Sequence, residues 1–282
     1  MIGLSNGLQN ASCPATAWAD LASEAAVPES ESCMALPCDR SANGFELMKK
    51  RKTRLTNSEH REISIAAVLS AAEFLFVTQG YHGTTTEKIG ELAGLTKGSV
   101  YFYYGTKEGV LLELLKRVHE NILIPIVQLM RDDSRSPVER ITGFLGMTEK
   151  TALEHPGSML LPILVSIELA GTELEAARRV SAGYNRVAKE IRNVLDLGQA
   201  SGAVRSDLSS GDMARLLISI CDGMMLECLR QNLRIDVQRL VRALRAVILS
   251  GLQGESVSPT DLVAMDGPSV LEVLSGKLQH HR

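Results

Sequence analysis

Residues 81–108 read Tyr-His-Gly-Thr-Thr-Thr-Glu-Lys-Ile-Gly-Glu-Leu-Ala-Gly-Leu-Thr-Lys-Gly-Ser-Val-Tyr-Phe-Tyr-Tyr-Gly-Thr-Lys-Glu. Thr84 and Thr85 precede a helical apolar stripe, Ile89, Leu92 and Ala93. A threonine hydroxyl there accepts from the unpaired N–H groups of a first turn. Gly94 ends that helix, because glycine enters the left-handed conformation of a tight C-cap without a Cβ penalty. Thr96 caps a second short helix, Lys97 to about Tyr103, with Val100 facing inward and Lys97, Ser99 and Tyr101 outward. Glycine within a helix costs about 1 kcal/mol relative to alanine, so Gly90 predicts a close approach of two crossing helices. Two short helices meeting at Gly94 make a helix-turn-helix. The second fits a DNA major groove, and its Lys, Ser and Tyr side chains can donate to phosphates and base edges. The competing reading of these residues is a plain helical hairpin with a tyrosine-rich surface.

The surrounding residues extend the pattern. Ala71-Ala72-Glu73-Phe74-Leu75-Phe76 with Gly80-Tyr81, then Thr84-Thr85, Ile89, Ala93-Gly94-Leu95-Thr96, Gly98-Ser99-Val100-Tyr101, Tyr103-Tyr104 and Lys107-Glu108 stand in one fixed register. Over about residues 59–117 this resembles the tetracycline-repressor (TetR) family of transcriptional regulators. Gly90 stands where that family usually has alanine, and Tyr104 where it usually has phenylalanine. Phe102 falls at a position that often helps the family choose bases; it cannot donate a hydrogen bond but can pack on a thymine methyl. Together these readings assign Thr84, Thr85, Lys88, Thr96, Lys97, Gly98, Ser99, Tyr101, Phe102, Tyr103, Tyr104 and Lys107 to a double-stranded DNA operator, with Lys107 reaching a phosphate at a helix N-terminus.

Composition and charge agree with an all-α DNA-binding protein. The chain is 282 residues long, 45% hydrophobic but 4% aromatic, and its apolar runs favour Leu, Ile, Val, Ala and Met. No uninterrupted apolar run reaches the ~18 residues of a membrane span, and no secretory signal is visible, so a cytoplasmic protein without a membrane partner is expected. Five unpatterned cysteines suit a reducing compartment. The formal charge of −3 is unevenly spread. Residues 1–45 hold one basic and five acidic groups, residues 46–117 eleven and eight, and residues 118–282 eighteen and twenty. The positive field therefore falls on the helix-turn-helix, where it steers a polyanion.

Five zones follow. Residues 1–48 lack periodicity and read as a disordered extension; Met48, directly before a basic run, is the expected start of the protein. Cys33 and Cys38 have no partners at metal-ligand spacing, so no metal is expected. Residues 49–58 carry Lys49-Lys50-Arg51-Lys52-Thr53-Arg54, a basic arm that either follows phosphates or is a solvated linker. Residues 59–106 form the DNA-binding domain, opened by a capping box at Thr56-Asn57-Ser58-Glu59, with Ile65, Val68, Leu69, Ala72, Leu75 and Phe76 inward on helix 1. Residues 107–253 form a helical effector-binding and dimerisation domain, and residues 254–282 a loose tail.

Within the larger domain a helix from Lys107 should run to about Leu129, disturbed at Pro125, which cannot donate an internal hydrogen bond. Helices are expected from Ser136 to His155, Gly157 to Ala170, Glu173 to Ser201, Ser210 to Gln231 and Val237 to Leu252. The Glu173–Ser201 helix shows one stripe: Leu174, Ala177, Ser181, Tyr184, Ala188, Ile191, Leu195 and Gly198. Phe144, Met147, Met159, Ile163, Ile167 and Tyr184 can line a pocket for a small-molecule effector, though residues of these types are more often plain core. The last two helices carry more apolar surface than one core needs. This points to a homodimer through Met213, Leu217, Ile220, Met224, Val237, Leu240, Val241, Leu244 and Ile248. The resemblance implies a four-helix bundle between twin chains, a near-palindromic operator and, by family habit, repression, with activation as the alternative.

Catalytic patterns do not appear. There is no nucleophile with a paired base, no His-Glu-x-x-His and no phosphate-cradling glycine loop, and no cofactor is implied. The remaining rival is a helical adaptor that binds protein in place of DNA.

Overall fold

The computed structural model describes residues 56–231 and 236–254, and of Val237 only the backbone. The expected N-terminal extension, most of the basic arm and the tail lie outside these residues. The described residues are helical, with no strand among them.

Helix α1 spans Asn57–Gly83 and opens with the expected capping box: Glu59 N–H donates to the Thr56 hydroxyl, and the Thr56 N–H donates to the Glu59 carboxylate. Its inward stripe, Val68, Leu69, Ala72, Leu75 and Phe76, is buried, and Ile65 packs beside it. Although no apolar run is continuous, α1 is long and apolar enough on average to cross a membrane. Here its buried stripe packs on other helices, as the central helix of a globular core does. Helices α2 (Thr86–Leu92) and α3 (Lys97–Tyr104) form the helix-turn-helix. Gly94 between them has φ 67°. A Cβ on Gly90 would lie 3.1 Å from the Leu95 carbonyl oxygen, so the close approach occurs at the turn itself.

Helix α4 (Lys107–Val118) continues through a π-helical turn, His119–Leu123, into α5 (Ile124–Met130). The disturbance expected at Pro125 thus falls in the turn before it. Proline lacks the N–H that would bond four residues back, and its ring crowds the carbonyl there. The backbone relaxes by widening, and the Ile124 N–H bonds to the His119 carbonyl, five residues back.

Helices α6 (Pro137–Glu154), α7 (Pro156–Glu168), α8 (Glu175–Ala200), α9 (Ser210–Arg230) and α10 (Val237–Gln253) complete the chain. The stripe expected on α8 is rotated in its first half, where Ala176, Val180 and Val187 are buried and Ser181 is exposed. Ile191, Leu195 and Gly198 are buried as expected, and Leu174, Ala177 and Tyr184 pack half-buried against the first cluster. Arg140 is buried in the first turn of α6. Its guanidinium donates to the carbonyls of Arg135 and Met130 and to the Asp133 carboxylate, satisfying otherwise orphaned groups.

Two apolar clusters hold these elements. One joins α1 to α4 with α7, the start of α8 and Met225; the other joins α5, α6, α8, α9 and α10. The first crosses the expected domain boundary at residue 106. The helix-turn-helix therefore shares its core with α7. Phe76 is the bulkiest of the fully buried side chains and touches the Tyr81 ring at 5.7 Å. Phe76→Ala is expected to lose about 3–5 kcal/mol of stability, read by denaturant unfolding.

Candidate DNA interface and effector cavity

The outward face of α3 is assembled by caps. Thr85 accepts from the Lys88 N–H and Thr96 from the Ser99 N–H, so both hydroxyls close helix ends. Val100 alone of α3 is buried, and it anchors the helix. Lys97, Gly98, Tyr101 and Phe102 are exposed, Phe102 at 80%, while Ser99 and Tyr103 are half-buried. Lys97 pairs with Glu87 on α2 and lies 5.5 Å from the Tyr101 ring centre. That hydrogen-bonded pairing holds the Glu87 carboxyl down at about 2 and pushes the Lys97 ammonium up. Both partners are exposed, so a phosphate can displace the carboxylate at little cost.

Three residues assigned to DNA from sequence have other work. Thr84 is fully buried, and its hydroxyl donates to the Gly80 carbonyl at 2.7 Å. Tyr104 packs against the first apolar cluster, and burial pushes its phenol up. The Lys107 ammonium donates to the carbonyls of Tyr81 (2.7 Å) and Thr84 (3.0 Å) and sits 4.1 Å from the Tyr81 ring centre. Burial lowers its pKa. It holds the frame of the helix-turn-helix, a role no spacing rule reveals because its acceptors lie 23 and 26 residues away. Lys88 is exposed but tied to Gln79 and the Gly83 carbonyl.

A cavity of about 430 Å³ lies in the larger domain. Leu115 and His119 from α4 and the π turn, Phe144 from α6, Met159 and Pro162 from α7, and Val180 and Tyr184 from α8 are among its walls. Of the six residues expected there, Phe144, Met159 and Tyr184 take their places. Met147 packs in the second cluster, Ile163 in the first, and Ile167 is 61% exposed. Helices α6 and α7 present more than one apolar stripe, and composition cannot say which faces the void. Sequence reasoning missed the π turn, the cationic side chains Lys116, Arg179 and Arg186, and Asp222. Burial pushes the Asp222 carboxyl up to about 6, opposed by a hydrogen bond with Tyr184, whose phenol is raised by burial in turn. Cys221 beside it is raised by burial to about 11 and is a free thiol. Among the described residues, no group of His, Cys, Asp and Glu gathers as a metal site.

The dimer face expected on α9 and α10 also needs a new register. Met213, Leu217, Val241 and Ile248 are buried within the protomer core. Ile220, Met224, Leu240 and Leu244 are half-buried, Leu216 and Val247 are 58% and 71% exposed, and the Val237 side chain lies outside the description. Four of the nine residues assigned outward thus serve the protomer core, and four others stay half-buried beside the exposed Leu216 and Val247.

Residues 68–114 match the family model described as bacterial regulatory proteins, tetR family. The crystal structure of the MbdR regulator from Azoarcus sp. CIB is 33% identical and superposes with a TM-score of 0.62, covering 67% of this chain and 98% of that one. The chain belongs to the TetR family. It is a DNA-binding transcriptional regulator. The fatty acid metabolism regulator protein of Bacillus subtilis is 21% identical over 192 residues, covering 67% of this chain and 95% of the relative. The crystal structure of FadR from that organism in complex with stearoyl-CoA shares the fold, with 18% identity and a TM-score of 0.54 over 66% of this chain and 98% of that one.

Two outcomes follow for this TetR-family chain. Lys107→Met removes the donor of the Thr84 carbonyl and leaves the Tyr81 carbonyl only the Thr84 N–H at 3.3 Å, and should cost about 1–3 kcal/mol, read as a lowered Tm. Phe102→Ala should leave Tm unchanged. For Asp222, the unfolded carboxyl ionises near its ordinary value while the folded one stays protonated to about 6. The folded state is therefore penalised increasingly as pH rises from about 4 to 6, and fully above. Asp222→Asn should raise Tm at pH 7.5, with the gain shrinking as pH falls through 6 towards 4.

Proposed function

We propose that this chain is a cytoplasmic, ligand-responsive repressor without a membrane partner, binding a near-palindromic operator as a homodimer and performing no catalysis. The observation that carries it is the exposed Lys97, Tyr101 and Phe102 face of a helix whose other side is anchored in a core shared with the cavity-bearing domain. The base-reading set is Lys97, Gly98, Ser99, Tyr101 and Phe102, with Thr85, Lys88, Thr96 and Tyr103 placed along the phosphates. Residues 49–55 add a basic segment that follows the backbone.

The cavity suits an amphiphilic effector with an apolar body and an anionic end. Leu115, Leu123, Ile126, Phe144, Met159 and Val187 offer the apolar wall, and Lys116, Arg179 and Arg186 the cationic side. An acyl thioester of coenzyme A has both features, and the fold relative solved with stearoyl-CoA supports that class. Such a ligand acts by differential affinity for a conformer in which α4 is displaced, so effector and operator each weaken the other.

The twin chain meets Leu216, Ile220 and Met224 of α9 and Leu240, Leu244 and Val247 of α10. Two-fold pairing places two copies of α3 about one DNA turn apart.

A footprint on the intergenic DNA beside the gene should show two protected half-sites, with log affinity falling linearly in log salt. Micromolar dodecanoyl-CoA should reduce that affinity about tenfold or more. Val247→Asp should give a monomer by light scattering and lose operator binding while keeping its helical content. A wild-type protein that ignores this DNA at low salt without effector would overturn the reading.

A further inference from the structure

Helix α7 carries Met159 and Pro162 in the cavity wall and ends at Glu168. A carboxylate at a helix C-terminus faces the negative end of the helix dipole, so its place needs compensation. Compensation comes from the DNA-reading part of the chain. Tyr81 N–H donates to Glu168 Oε1 at 3.0 Å and His82 N–H to Oε2 at 3.2 Å. The Lys107 ammonium adds a favourable charge interaction with the same carboxylate.

These two N–H groups point at Glu168 because α1 is kinked. Gly80 has φ 76° and ψ 168°, which turns the following amides out of the helical ladder. A Cβ on Gly80 would stand 2.6 Å from Glu168 Oε1, so the positive φ and the close carboxylate both require glycine. Beyond the kink the chain is held by hydrogen bonds as far as the cap of α2. Thr84 O–H donates to the Gly80 carbonyl, and Lys107 holds the Tyr81 and Thr84 carbonyls. Thr85 then caps α2. A second bridge runs in parallel, with Glu108 at the start of α4 accepting from the N–H groups of Glu175 and Ala176 at the start of α8.

We propose that Glu168 is a positioning residue for DNA reading: its two-amide grip on the Gly80 kink transmits the placement of the cavity wall helix α7 to the recognition helix α3. The grip is geometric. A shift of α7 by a fraction of a hydrogen-bond length must either break it or carry Tyr81, Thr84 and Lys107 along. This rests on reading the cavity as the effector site, because an occupant is what would move α7.

The test uses the full chain, with Glu168→Gln, Gly80→Ala and a control, Glu173→Gln, whose side chain is 98% exposed. Amide hydrogen exchange is followed by mass spectrometry, and affinity for the intergenic fragment by fluorescence anisotropy. In Glu168→Gln, exchange at Tyr81 and His82 should rise about tenfold, exchange across Leu95–Tyr104 at least about threefold, and DNA affinity should fall about tenfold. Gly80→Ala, which breaks the joint from its other side, should reproduce that pattern, and Glu173→Gln should change nothing. Faster exchange confined to residues 81–82, with DNA affinity within about twofold of wild type, would reduce Glu168 to a local cap and overturn the proposal. In wild type, dodecanoyl-CoA should accelerate exchange at Tyr81 and His82, and in Glu168→Gln it should add nothing. Should the wild type bind neither fragment nor thioester, the functional reading fails, while exchange across Leu95–Tyr104 still decides whether the joint exists.

Discussion

The kinked end of α1, from Gly80 to the Thr84 cap, must satisfy polar backbone groups that the kink takes out of the helical ladder, and the fold is arranged around how it does so. The Tyr81 and His82 amides go to Glu168, the Tyr81 and Thr84 carbonyls accept from Lys107, the Thr84 amide donates to the Tyr81 carbonyl, and the Gly80 carbonyl accepts from the Thr84 hydroxyl. Three separate helices are tied to one short segment by that accounting. A buried carbonyl left without a donor costs about 1–3 kcal/mol, so α1, α4 and α7 cannot drift independently. The apolar cluster spanning these helices reinforces the tie, with Phe76, Tyr81 and Leu111 on one side and Leu160, Leu161 and Leu169 on the other.

The cavity arises from a second constraint, a proline within what would otherwise be one long helix. Pro125 removes an internal hydrogen bond, and the ladder widens over His119–Leu123 in place of breaking. The wider turn displaces His119 and Leu123 relative to a regular helix and turns them to the void. Gly183 on α8 sits opposite, where a Cβ would meet Leu123 at 2.9 Å. The helix that runs from the DNA frame at Lys107 thus enters the cavity wall through its least regular turn. A π turn has poorer hydrogen bonds than an α turn, so it is the part of that helix that rearranges at lowest cost.

The polar groups around this cavity are unequal partners for a ligand. Lys116, Arg179 and Arg186 keep water contact, whereas Asp222 and Tyr184 are withdrawn into the protein and share a hydrogen bond. An anionic group would gain at the first set and be repelled by the Asp222 carboxylate once that is ionised, above about pH 6. Leu216 and Val247 stand on the outer sides of α9 and α10, whose inner sides complete the second core.

The helix-turn-helix was legible from residues alone because its signals are local. Threonine caps, a glycine of positive φ and one inward valine act within a few residues, and Thr56, Thr85, Thr96, Gly94 and Val100 all behave in the structure as their chemistry requires. The family likeness is legible for the same reason. What could not be read were choices between equivalent surfaces. Met213 and Leu217 differ from Leu216 and Ile220 by a rotation about a helix axis, and only the neighbouring helices decide which stripe is covered. Lys107 and Thr84 look like phosphate contacts until the carbonyls that occupy them are located in space. Glu168 carries no signal at all in the sequence, because its two partners lie 86 and 87 residues away and are backbone amides, identical for every residue type. Local chemistry determined the elements and the reading helix. Long-range packing alone decided which faces meet, where the void lies and which charge holds the joint.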